Sequence, residues 1–163
     1  MQQEDSVVRY EFEICMEKTE NREMRLSKTF KAPMELVWKG WTDPEHIVNW
    51  WGPAGFTSTI HKMDFHEGGE WKLTLKGPDG TDYPNRSIFK EIILSKKIVF
   101  EHFNPHFITA VLFESNGQET HIDWILLFDT VEMREIIVKT HKADEGQKQN
   151  IKKLEKYLSI LGK

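Results

Sequence analysis

The chain has 163 residues, of which 39% are hydrophobic and 29% are charged, and its net charge is −4. This length and composition fit one globular domain that buries enough apolar surface to fold without disulfides. The small acidic surplus argues against a protein that binds nucleic-acid phosphates, and no apolar run reaches the roughly 18–20 residues of a membrane span. The N-terminus lacks the features of a signal peptide, and the single cysteine, Cys15, has no partner for an internal disulfide. We therefore expect a cytoplasmic protein with no membrane insertion and no nucleic-acid partner.

The first part of the chain shows two strand patterns separated by a polar turn. Residues 8–16 alternate apolar and polar side chains with the period of a half-buried strand, and residues 24–31 form the second pattern. We assign residues 1–22 to an N-terminal extension that adds a strand, and residues 23–163 to a single domain.

Two short helices are predicted next. Pro33 suits the first position of one helix, and Asp43 before Pro44 is an N-cap followed by proline at the first helical position of the other. The second helix is predicted to carry Trp50 and Trp51 before Gly52-Pro53 stops it.

Six strands are predicted after these helices, followed by two more helices. The strands cover 56–65, 69–76, 84–94, 97–103, 107–115 and 119–128, and Asp-Gly and Asn-Gly pairs between alternating runs favour hairpins. Asp129 with Glu132 resembles a capping arrangement that opens a short helix through His141. Residues 143–161 carry an apolar stripe typical of a longer helix. Strands and helices that are segregated along the chain indicate an α+β fold.

The segment 32–53 reads APMELVWKGWTDPEHIVNWWGP, and it resembles the signature of a known family. This is the activator of heat-shock-protein-90 ATPase, C-terminal-domain-like family of the START/SRPBCC superfamily, and the match extends over roughly residues 25–161. The resemblance implies a helix-grip fold, in which a curved antiparallel sheet of about seven strands wraps around a long C-terminal helix, with two short helices after the first strand. It also implies a cavity between sheet and helix, where superfamily members bind lipids, sterols, polyketides or plant hormones. The family name adds an association with chaperones and the stress response.

Alternation along the strands predicts which side chains face the concave side of the sheet. Trp71, Leu73, Leu75, Ser87, Phe89 and Glu91 belong to this inward set, because the residues between them are mostly polar. From this set, the tryptophans near Gly52 and the later helices, we predict a ligand pocket formed by Trp50, Trp51, Phe56, Trp71, Leu73, Phe89, Glu91, Val111, Phe113, Ile122, Trp124, Ile137 and His141. Glu91 is either a buried carboxylate that needs a partner or an edge residue that bonds a turn. His141 is either an acid or base in the cavity or simply a packed or solvated histidine.

Neither a metal centre nor a nucleophilic site is indicated by the remaining motifs. On a strand, His61 and His66 point to opposite faces, and no Cys, Asp or Glu set completes a zinc shell around them or around His102 and His106. The sequence has no phosphate-binding glycine loop and no Gly-x-Ser-x-Gly motif. We predict no metal, no cofactor and no catalytic residue.

The predicted function is binding of a small hydrophobic molecule that is lipid-, sterol- or polyketide-like. Two alternatives remain open: a co-chaperone-like interaction module, and a cavity enzyme of the cyclase, dehydratase or hydrolase type. Eukaryotic chaperone activators of this family carry a separate N-terminal domain, and residues 1–22 are too few to form one. We therefore expect no stimulation of the chaperone's ATPase.

Overall fold

The computed structural model describes residues 20–162, apart from the side chain of Glu20. The predicted strand over 8–16 and most of the predicted 1–22 extension lie outside the described residues. The described part begins with a single 3-10 turn, Glu20–Arg22, which leads directly into the first strand.

Seven strands form one antiparallel sheet, as predicted for a helix-grip fold. They are β1 (Glu23–Phe30), β2 (Thr57–Met63), β3 (Glu70–Lys76), β4 (Asp82–Ile93), β5 (Lys97–Phe103), β6 (Phe107–Asn116) and β7 (Glu119–Phe128). The spatial order is β1-β7-β6-β5-β4-β3-β2, so β2 to β7 form a meander and β1 pairs with the last strand. Strands β4 to β7 occupy residues 82–128, in agreement with the predicted series of hairpins.

The sheet curves because its ladders contain irregularities. The register shifts between Ile60 and Lys62 on β2, and between Phe89 and Glu91 on β4. A β-bulge bends the strand that contains it and increases its twist. The hairpin turns at Gly80 and Gly117 have φ angles of 85° and 68°, a conformation that glycine adopts at no steric cost.

Helices α1 (Met34–Thr42) and α2 (Pro44–Ile47) follow β1. The predicted N-cap is confirmed, because the Asp43 carboxylate accepts a hydrogen bond of 2.9 Å from the Glu45 amide. The predicted extent of α2 is wrong: it ends at Ile47, and Trp50 and Trp51 lie in the turn after it. Both of their amides still donate to the Ile47 carbonyl, but Gly52 then takes a φ of 109°, which no helix continues.

Helices α3 (Val131–Lys139) and α4 (Ala143–Leu161) complete the fold. The N-cap of α3 is Thr130, whose hydroxyl accepts from the Met133 amide at 3.0 Å, and not the predicted Asp129. The Asp129 carboxylate is bonded to His106 instead. The helix ends at Lys139, so His141 lies in the turn between α3 and α4.

Helix α4 lies against the concave face of the sheet and supplies the buried residues Gln147, Asn150, Ile151, Leu154 and Leu158. Asp144 and Glu145 in its first turn complement the positive end of the helix dipole. No described helix is both long and apolar enough to cross a membrane.

Candidate ligand-binding site

A cavity of about 330 Å³ lies between the sheet and the first turns of α4. One wall is formed by residues on the concave face of β3 to β7, with one side chain of β1. The others are formed by helix α3, the turn before α4 and the segment 51–53. Most of the lining is apolar, and the aromatic part consists of Trp51, Trp71, Phe100, Phe107, Trp124 and Phe128. His141 and Lys142 line it and are exposed, so the mouth of the cavity lies at the junction of α3 and α4. We call this part of the groove between sheet and α4 the open end.

The other end of the same groove is filled by side chains, and we call it the filled end. Trp41 contacts Trp50 edge-on with ring centroids 4.7 Å apart, and Trp38 contacts Phe113 in the same way at 5.0 Å. Helix α1 approaches α4 closely at Gly40, where a Cβ atom would lie 3.5 Å from Leu154. The indole nitrogen of Trp50 donates to the Gly40 carbonyl at 2.9 Å, which satisfies a polar atom in this core.

Of the thirteen predicted pocket residues, the structure brings six together around the cavity. These are Trp51, Trp71, Leu73, Trp124, Ile137 and His141. The other seven lie outside the lining: Trp50, Phe56, Phe89, Glu91, Val111, Phe113 and Ile122. Five of the seven are core residues with 6% or less of their surface exposed: Trp50, Phe89, Val111, Phe113 and Ile122. Side-chain alternation places residues on the concave face correctly, but it does not tell which end of the groove they occupy.

Glu91 is buried against a cation and does not face the ligand cavity. Its Oε2 lies 3.1 Å from the ammonium nitrogen of Lys97, and both side chains are about nine-tenths buried. Of the two interpretations offered by the sequence, this is the buried carboxylate with a partner. Lys97 follows the turn that joins β4 to β5, a position that sequence alternation alone does not mark as buried.

Seven polar residues of the cavity lining were not predicted as site residues. Asn85 and Ser87 come from β4, His102 from β5, Thr109 from β6, Lys142 from the turn before α4, and Gln147 and Asn150 from α4. Ser87 was placed on the inward face by alternation, and that was the one available signal. Gln147 and Asn150 lie three residues apart on a helix rich in charged residues, where sequence alone reads them as solvated.

His102 is held by two hydrogen bonds within the protein. Its Nδ1 lies 2.8 Å from the Pro105 carbonyl oxygen, and its Nε2 lies 2.7 Å from the side-chain amide of Asn85. Burial lowers the pKa of His102 below its ordinary value of 6.5, and the nearby His106 acts in the same direction. The lowered pKa favours the neutral form of the ring at neutral pH. Ser87 lies directly opposite on the neighbouring strand, but both ring nitrogens are engaged, so His102 is not free to act as its base.

Thr109 and Trp124 form a hydrogen-bonded pair in the cavity wall. The Thr109 hydroxyl donates to the Ile125 carbonyl at 2.8 Å and accepts from the indole nitrogen of Trp124 at 3.1 Å. These bonds fix the plane of the Trp124 ring beside the cavity.

Side chains of α4 hold the segment 52–56 beside the cavity through hydrogen bonds. The Lys153 ammonium donates to the carbonyls of Gly52, Pro53 and Phe56 at 3.1–3.4 Å. Asn150 accepts from the Gly52 amide, and burial lowers the pKa of Lys153. The segment is thus held through its backbone, and Phe56 lies outside the cavity lining with its ring against Tyr83.

A histidine outside the cavity joins the β5–β6 turn to the start of α3. His106 Nδ1 lies 2.8 Å from the Asp129 carboxylate, and Nε2 lies 2.7 Å from Glu101. The bond to Glu101 raises the pKa of His106, and Asp129 adds to this effect. Within residues 20–162, no group of three His, Cys, Asp or Glu side chains is placed to hold a metal ion.

The family model described as activator of Hsp90 ATPase homolog 1-like protein matches residues 31–159. The chain belongs to this family. The matched range contains α1, the tryptophan-rich turn, the meander from β2 to β7, α3 and nearly all of α4, and therefore every residue of the cavity lining except Met24. The family that the sequence resembles is therefore confirmed.

Solved structures of similar fold extend this result to the architecture. A protein from Nitrosomonas europaea has a TM-score of 0.78 at 21% identity, over 88% of this chain and 97% of that chain. A protein from Arthrobacter aurescens gives 0.80 at 23% identity, over 86% and 87%. The AHSA1 protein from Silicibacter pomeroyi gives 0.69 at 17% identity, over 85% and 98%. At these sequence identities, the likeness to solved structures shows the helix-grip fold alone. A comparison with curated proteins found no match to the sequence.

Proposed function

We propose that this protein binds a small, mainly apolar molecule in the cavity at the open end of the groove. The observation that carries the proposal is the cavity itself, which is lined by aromatic and aliphatic side chains with a few polar groups among them. A largely pre-formed apolar pocket with a few placed polar groups is the usual form of a small-molecule site. The groove is packed with side chains at the filled end and has free space at the open end. This difference supports a binding site at the open end.

The size of the cavity narrows the predicted ligand range. Its volume of about 330 Å³ is near the lower end of ligand pockets, which span roughly 300–1,000 Å³. The predicted lipid-, sterol- or polyketide-like class is thereby reduced to compact members, such as a fused-ring compound or a short acyl chain.

The ionisable groups of the lining favour binding over catalysis. The only ones among its described residues are His102, His141 and Lys142, and the last two are at the mouth. A cyclase or hydrolase needs an acid, a base or an activated nucleophile beside the substrate. Ser87 has no base, because His102 is bonded on both nitrogens. A co-chaperone role, which the family's name suggests, has no comparable support, and we keep the prediction that the chain does not stimulate the chaperone's ATPase.

The test uses naphthalene as an apolar probe of suitable size and a pair of variants on α3. Ile137 lines the cavity and is half-buried, while its neighbour Ile136 is 53% exposed and lies outside the lining. We expect saturable binding of naphthalene in calorimetry, together with a change in tryptophan fluorescence, because three tryptophans border the cavity. Burial of a few hundred Å² at about 25 cal/mol per Å², less the cost of association, gives a dissociation constant in the micromolar to millimolar range.

Replacing Ile137 with Trp should fill the space and abolish binding, whereas Ile136→Trp should leave it unchanged. Equal loss in both variants, or no binding to the unaltered protein, would overturn the proposal. Circular dichroism and thermal melting of both variants confirm that each is folded.

A further inference from the structure

Ser87 is a buried hydroxyl that faces the cavity without a protein partner. The side chain lines the cavity and is only 3% exposed. Within the described part of the chain its hydroxyl makes no hydrogen bond, and it is not among the fully occluded polar atoms without a partner, so it retains contact with the space beside it. Buried polar groups in proteins are nearly always bonded, so a hydroxyl left open toward a cavity points to a partner that enters from outside.

Two amide side chains of α4 present further open polar atoms. The side-chain NH₂ group of Gln147 donates a hydrogen bond to the Trp124 carbonyl. The side-chain oxygen of Asn150 accepts one from the Gly52 backbone amide. Backbone groups have a fixed polarity, so these bonds set the orientation of both amides. The Gln147 oxygen is then left as an acceptor and the Asn150 nitrogen as a donor, and both residues line the cavity with 5% of their surface exposed.

No formal charge stands inside the cavity to balance a charged ligand. The described lining contains no carboxylate and no arginine, Lys142 is exposed at the mouth, and His102 is engaged on both nitrogens. An ionised group transferred to such a site loses its hydration without gaining a counter-charge, which is strongly unfavourable. An uncharged oxygen substituent, in contrast, exchanges one hydrogen bond for another.

We propose that the cavity selects an uncharged, mainly apolar molecule that carries hydroxyl or carbonyl oxygens, with Ser87, Gln147 and Asn150 as its hydrogen-bonding partners. This inference rests on the proposed function, since it requires the cavity to be a binding site. It adds a chemical class to it: neutral alcohols, phenols or ketones are bound in preference to pure hydrocarbons and to carboxylates of the same size.

The test compares three probes with one ring system: naphthalene, 2-naphthol and 2-naphthoate, measured by calorimetry at neutral pH. We expect 2-naphthol to bind about three- to tenfold more tightly than naphthalene, as for one net hydrogen bond, and 2-naphthoate to bind more weakly than both. In Ser87→Ala the preference for 2-naphthol over naphthalene should fall toward one. Ser115→Ala, at an exposed serine of β6 outside the lining, should keep the preference of the unaltered protein.

The outcomes separate this inference from the proposed function. If all three probes fail to bind, the proposed function is wrong, and the inference falls with it. If naphthalene binds as tightly as 2-naphthol, or 2-naphthoate binds most tightly, the cavity is a binding site but its selection for neutral oxygenated ligands is refuted. A preference for 2-naphthol that survives unchanged in Ser87→Ala also refutes the assigned role of Ser87.

Discussion

The two ends of the groove between sheet and α4 are built from similar side chains, yet one is filled and the other is open. At the filled end α1 lies over the groove: Trp41 contacts Trp50 and Phe113 edge-on, and Leu154 and Leu158 of α4 lie close to Gly40 of α1. At the open end the covering element is α3, none of whose residues is buried. The cavity therefore arises from the helix that covers the sheet, because aromatic side chains are abundant at both ends.

Polar groups at the two ends differ only in part. At the filled end, the indole nitrogen of Trp50 donates to a carbonyl, whereas the buried indole nitrogen of Trp41 has no partner among the described residues. At the open end, hydrogen-bonding atoms of Ser87, Gln147 and Asn150 border the cavity without protein partners in the described structure. Polar atoms that border a cavity in this way indicate where a ligand completes the packing.

The largest expected effect comes from the same truncation at each end of the groove. Leu154 is fully buried at the filled end, and Leu73 lines the cavity. We expect Leu154→Ala to lower the free energy of unfolding by about 4–5 kcal/mol and Leu73→Ala by about 2–3 kcal/mol, because a side chain that borders empty space has fewer contacts to lose. Urea unfolding of both variants measures the difference. Equal losses would mean that the cavity closes up in solution, and the comparison of the two ends would fail.

A second pair of variants removes one hydroxyl from each of two cavity residues. Thr109→Val deprives the Trp124 indole of its acceptor, and we expect a loss of about 1–3 kcal/mol in the free energy of unfolding. Ser87→Ala removes a hydroxyl that has no protein partner, so its effect should be near zero, within about 0.5 kcal/mol. Thermal or urea unfolding in the absence of added ligand measures the change in the free energy of unfolding for each variant. A large loss in Ser87→Ala would show that the hydroxyl is satisfied within the protein.

The smallest effect concerns pH and the two histidines next to the open end. Since the bond to Glu101, with help from Asp129, raises the pKa of His106, its contribution to stability is present below pH 6.5 and is lost as the pH rises through the raised value. Burial lowers the pKa of His102, so its effect has the opposite sign: stability is lost as the pH falls below 6.5 through the lowered value.

His106→Gln should therefore remove the alkaline loss and keep the acid loss. Urea unfolding between about pH 5 and 8.5 measures both limbs, and a proton NMR titration of the two rings assigns them. An alkaline loss that persists in His106→Gln would show that another group is responsible for it.

Patterns in the sequence predicted the family and most of the strands and helices, although not every helix end. Alternating runs with Asp79-Gly80 between β3 and β4 and Asn116-Gly117 between β6 and β7 set these two hairpins, and Asp43 before Pro44 set the start of α2, because these signals act between residues close in the chain. The signature over 32–53 pointed to the helix-grip fold. The same alternation identified the concave face, on which Trp71, Leu73 and Trp124 were placed correctly.

Which part of that face is open depends on the packing of the whole fold. Phe89, Val111, Phe113 and Ile122 share the concave face with the cavity residues, but they are buried in the core outside the lining, and Phe113 contacts Trp38 and Trp41 of α1. A period of two in the sequence reports the face of a strand and carries no information on which helix lies over it, because that depends on contacts between residues far apart in the chain. The pairing of β1 with β7 and the open hydroxyl of Ser87 depend on the same long-range packing.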